Sequence, residues 1–122
     1  MSIEYQHIAL KNQIHSLEDE DQRMQKFFDI KWVAKDKQRQ PEIDELVAEI
    51  RALCKTRSEK LELFKRKATV AMLLQTNKAE SHEKLMKILT PLYQELDDIL
   101  FSMFHIDIEI YQAKEQLYKA CK

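Results

Sequence analysis

The sequence predicts an all-α protein, an elongated antiparallel three-helix bundle, on three observations. The 122 residues contain no glycine. Tight turns, left-handed helix caps and phosphate-cradling loops draw on glycine's freedom at positive φ, so few turns of that kind and no glycine-rich nucleotide loop are expected. Only two prolines interrupt the chain, which favours a few long elements. Finally, apolar residues recur in alternating steps of four and three from Leu85 to Ala120, through Leu89, Leu92, Leu96, Ile99, Met103, Ile106, Ile110, Ala113 and Leu117. That is the seam of a helix committed along one face to other helices. The chain, 1–122, is expected to be one domain, long enough for a modest core but not for two.

Helix one is expected over about residues 2–38, with a seam of Ile3, His7, Leu10, Ile14, Leu17, Asp21, Met24 and Phe28. Past Phe28 the seam fades, and Phe27, Ile30, Trp32, Val33 and Ala34 place apolar groups all round. Lys35, Lys37 and Arg39 follow where the helix dipole favours cations. Gln40-Pro41 is the clearest break, because proline suits the first helical position and disfavours helix in the residue before it. Helix two, about 41–76, opens on Glu42, Asp44 and Glu45 and carries Ile43, Val47, Ile50, Cys54, Arg57, Leu61, Phe64, Ala68, Ala71 and Gln75 along one stripe.

Asn77 with Glu80 has the form of a capping box, which puts a turn there and helix three over about 80–121, with a kink or break at Pro91. The alternative is that helix two continues to Leu89 and the turn falls at Thr90-Pro91. The segment from Phe104 to Tyr111 alternates apolar and polar residues like a strand. The heptad runs unbroken on both sides of it, and the sequence offers no second strand to pair with it.

Similar lengths and short connections imply up-down-up packing. A hairpin centred near residues 39 and 40 matches positions on helices one and two whose numbers add to about 79. This sets Asp21 opposite Arg57 or Ser58 and predicts a buried Asp21–Arg57 pair, which fixes register more than it stabilises. By the second hairpin, Val47 is expected level with Ile108 to Tyr111.

Most function classes find little support. A net charge of −1 argues against bulk attraction to nucleic acid or anionic membrane. The segment 51–67 is locally basic, with Arg51, Lys55, Arg57, Lys60, Lys65, Arg66 and Lys67 against Glu59 and Glu62, and Trp32 is available for base stacking. Glu18, Asp19, Glu20 and Asp21 are expected at the same height on helix one and would neutralise much of it. Nucleic-acid or acidic-lipid contact is therefore the lesser reading.

Glu4-x-x-His7 is half of a di-iron carboxylate motif, but His15-x-x-Glu18 is reversed and no second half follows, so no metal site is expected. His82 and His105 are lone histidines beside carboxylates. Cys54 lies in a seam, where thiols are inert, and no catalytic constellation or cofactor motif stands out. Cys54 and Cys121 are too few for a disulfide framework and read as free thiols of a reducing compartment. The sequence shows no signal-peptide pattern and no apolar run of about 18 residues, so a cytoplasmic protein is expected, with a nuclear one as the alternative.

The informative signal is a second row on helix three: Phe101, Phe104, Ile108, Tyr111 and, past Glu115, Tyr118. At helical spacing it lies roughly 150° from the seam, beyond the arc that a three-helix bundle buries. With Trp32 at the same end, it forms an expected partner-binding face. The expected function is a non-enzymatic protein–protein interaction module, a helical subunit or adaptor that assembles with another protein or with itself. The alternative is a helical chaperone or inhibitor that shields a partner transiently.

Overall fold

The computed structural model describes residues 3–76 and 80–122, with side chains from His7 onward. Among them the chain forms three α-helices and no strand: α1 (Ile3–Lys26), α2 (Gln40–Gln75) and α3 (His82–Cys121). With 36 and 40 residues, α2 and α3 are roughly 54 and 60 Å long. Their contacts run in opposite directions. Gln75 meets Tyr93, Lys67 meets Glu95 and Arg57 meets Asp107. On the other hairpin Lys65 meets Glu18, Ser58 meets Asp21 and the Arg51 guanidinium covers the Phe28 ring. This is the antiparallel three-helix bundle.

Helix one is shorter than its pattern predicts. It stops at Lys26, tightens into a 3-10 turn at Phe27–Asp29 and becomes extended at Ile30. A straight helix through residue 38 would have pointed the apolar groups of 27–34 to every side. Leaving the helix instead turns Phe27 and Ala34 onto the buried Ile110, Ala113, Leu117 and Ala120 of α3. The freed backbone is held by Gln40, whose side chain accepts from the Ala34 amide at 2.9 Å and donates to the Trp32 carbonyl at 3.2 Å. Asp36 then caps a short turn, Lys37–Arg39, that leads into α2 with Pro41 in its first turn.

The second connection also differs in detail. Helix two ends at Gln75, so its continuation to Leu89 does not form. Asn77 lies outside the described residues, and the observed cap of α3 is Ser81, which accepts from the Lys84 amide. α3 runs through Pro91 without a break. Proline leaves the Lys87 carbonyl without its helical donor, but this part of the helix faces outward. The Thr90 hydroxyl donates to the Met86 carbonyl one turn back.

The core has two clusters. Near the α1–α2 connection, Phe27, Ala34, Ile43, Leu46, Ile50 and Cys54 pack with Ile106, Ile110, Ala113, Leu117 and Ala120. Toward the other end, Leu17, Leu61, Phe64, Ala68 and Ala71 pack with Leu85, Leu89, Leu96, Ile99 and Met103. Arg57 sits at the junction, one turn from Cys54 on one side and from Leu61 on the other. No helix among the described residues is long and apolar enough to cross a membrane.

Candidate interaction surface

α3 presents one apolar face inward and a second outward. From Leu85 to Ala120 every seam position is buried except the half-buried Leu92. On the opposite side Phe101 is 66% exposed, Phe104 60%, Ile108 40%, Tyr111 65% and Tyr118 46%. Heptad spacing forces this result: the two rows lie too far apart around the helix for α2 to reach both. Glu115 interrupts the row between Tyr111 and Tyr118.

His105 stands beside this row. Its ring meets Phe101 edge-on at 4.6 Å between centroids and Phe104 at 6.4 Å. At the C-terminal end Trp32 reaches the row from the α1–α2 connection. Its ring lies 5.4 Å from Tyr118 and 5.0 Å from Phe27, which the Lys114 ammonium covers at 4.8 Å. Trp32 is half-buried, so it braces Tyr118 and presents only part of its own surface.

α1 rests chiefly on α2, and its contact with α3 is slight. An open groove therefore runs between α1 and α3, lined by Leu17, Leu100, Phe101, Met103 and Phe104. Glu20 and Asp107 close it at the level of Arg57.

Arg57 has a fully buried side chain. Its Nη2 donates to Glu20 Oε2 at 2.8 Å and its Nε to Asp107 Oδ1 at 2.6 Å, while Nη1 lies 3.7 Å from Asp21 Oδ1. Asp21 is at the predicted level, but its shorter bond is to the Ser58 hydroxyl, which donates at 2.7 Å. The sequence sets Glu20 only among the acids level with the basic segment, not as a direct partner of Arg57, and gives no sign of Asp107. Glu20 was legible in principle, as the neighbour of Asp21. Asp107 was not, because setting Val47 level with Ile108–Tyr111 placed Arg57 level with residues 98–101, about two turns from its observed α3 partner.

One group in the core and one packed against it carry shifted acidities. Burial pushes the Cys54 thiol above its usual 9.0, with the Lys114 charge pulling it back. Burial likewise raises the Tyr93 hydroxyl above 10.0, opposed by its hydrogen bond with Gln75.

Among the described residues no three His, Cys, Asp or Glu side chains converge as metal ligands. The Glu4 side chain lies outside the described residues, so the Glu4–His7 motif is not placed. In the basic segment Arg57 is enclosed by acids, Lys65 pairs with Glu18 and Glu62, and Lys67 pairs with Glu95 at 2.7 Å. Comparison with known protein families, with curated proteins and with solved structures finds no match for this chain.

Proposed function

We propose that this chain is a non-enzymatic helical module that joins another protein chain through the outer face of α3. One observation carries the reading: Phe101, Phe104, Ile108, Tyr111 and Tyr118 form a single exposed row on a helix whose other face is closed by its own bundle. Contiguous apolar patches of this kind mark interaction sites, and aromatic residues are enriched in interface cores. Phe101, Phe104 and Tyr111 serve as the anchors, each offering well over half its surface to a partner. Trp32 holds Tyr118 in place at the end of the row.

The alternative, a module that shields a partner's helix transiently, is favoured by the open groove between α1 and α3. It requires a well-behaved monomer with a dye-binding face. The nucleic-acid or acidic-lipid reading is weakened at three of its seven cations, since Arg57, Lys65 and Lys67 pair with carboxylates. The test is light scattering across concentration together with binding of a hydrophobic dye. The expected result is either self-association or dye binding that Phe101→Ser with Phe104→Ser abolishes. A monomer at every concentration that binds no dye overturns the proposal.

A further inference from the structure

Resting on that reading, we infer that the partner is a second copy of this chain, and that the two α3 helices pair antiparallel through their outer faces. The row has the spacing of a helix–helix seam, with Phe101, Ile108 and Glu115 alternating with Phe104, Tyr111 and Tyr118. In an antiparallel pair, each position of the first set faces one of the second set. A single register satisfies the whole row. Phe101 packs on Tyr118 of the second copy, Ile108 packs on Tyr111, and Phe104 lies over the aliphatic stem of Glu115. The five anchors, 40% to 66% exposed, would each bury on the order of 100 Å², or about 500 Å² per copy before any flanking contact, against about 800 Å² per partner in a standard interface.

Charge selects the direction and the occupant. The N-terminal approach to the row carries Asp97 and Asp98, and its C-terminal end carries Lys119 and Lys122, all exposed. Among the described residues none of the four makes an ion pair; Asp98 only accepts from Gln94 at 3.1 Å. Antiparallel pairing brings the acidic end of each copy to the basic end of the other, with Asp98 beside Lys119 twice over. Parallel pairing would set aspartates beside aspartates at one end and lysines beside lysines at the other, an unfavourable arrangement. A surface that is apolar along its middle and opposite in charge at its ends is complementary to itself when reversed.

The test is sedimentation equilibrium of the full chain at low salt, with helicity checked by circular dichroism and dye binding measured in parallel. Wild type is expected to dimerise. Asp97→Lys with Asp98→Lys weakens the dimer at least tenfold, and so does Lys119→Asp with Lys122→Asp. All four substitutions in one chain restore it, because both ends are again complementary. Glu115→Leu, which completes the row, tightens the dimer severalfold. A wild-type monomer that still binds dye at the outer row overturns self-pairing while leaving the interaction face standing. A dimer indifferent to the single-end swaps overturns the antiparallel arrangement.

Discussion

Both faces of α3 are apolar, but the inner one is aliphatic and closed, and the outer one is mostly aromatic and open. On the inner face Met103 and Leu117 are essentially inaccessible; on the outer face Phe101 and Tyr111 are about two-thirds exposed. Every stretch of the inner seam has a counterpart on α2, such as Phe64 in one cluster and Ile50 in the other. The outer row begins only at Phe101, where α1 leans on α2, and the connection beyond α1 delivers only Trp32, at Tyr118. An apolar row on a helix therefore reports that a face needs covering. Length, register and the path of the neighbouring segments decide what covers it.

The largest effect is expected where the inner face meets charge. Arg57→Ala removes the guanidinium that three carboxylates converge on and opens a void between the two core clusters, so it should cost about 3–5 kcal/mol. Asp21→Leu is milder, about 1–2 kcal/mol, because Arg57 keeps Glu20 and Asp107 while the Ser58 bond and the 3.7 Å ion pair with Nη1 are lost. Urea unfolding of the two variants measures both. Equal losses would mean that Asp21, not the whole cluster, carries the pairing.

The next contrast sets one face directly against the other. Leu89→Ala or Leu117→Ala truncates a fully buried side chain and should cost about 2–5 kcal/mol. Phe104→Ser or Tyr111→Ser on the outer row should change unfolding by no more than about 0.5 kcal/mol, provided the protein is dilute enough to be monomeric. At higher concentration the outer-row variants lose whatever stability association adds. Comparable losses from both faces at dilution would show that the outer row is internal to the fold.

The inner face was the part most legible in sequence, because a heptad kept over the length of α3 has one reading. The outer row was legible for the same reason: its spacing and its angular distance from the seam needed no structure. Less legible was the end of helix one. Ile30 to Ala34 suit a helix by composition and leave it only because Phe27 and Ala34 bury better against α3 and Gln40 satisfies the freed backbone. Asp107 as a partner of Arg57 was hidden more deeply. It depends on the axial offset of α2 against α3, and pattern reading fixes faces far better than offsets.

The smallest effect concerns a thiol packed against the inner face. Cys54 lies among Ile106, Ile110 and Ala113, and its burial raises the thiol above the usual 9.0 despite the pull of Lys114. The unfolded chain therefore loses this proton at lower pH than the native one. Below the unfolded value the contribution to stability is constant and complete; as pH rises through 9 and on past the native value it is lost. Tyr93 acts in the same direction, but only from about its own usual 10.0 upward. Unfolding free energy followed from pH 7 upward should bend downward near 9 in the wild type, and Cys54→Ala should move the bend to the higher range that belongs to Tyr93. In the native protein an alkylating reagent should label the half-buried Cys121 well before Cys54, since Cys54 is both shielded and held as the thiol. Labelling of Cys54 as fast as Cys121 at neutral pH would mean that the inner face opens readily, and with it would go the distinction between a closed and an open side of α3.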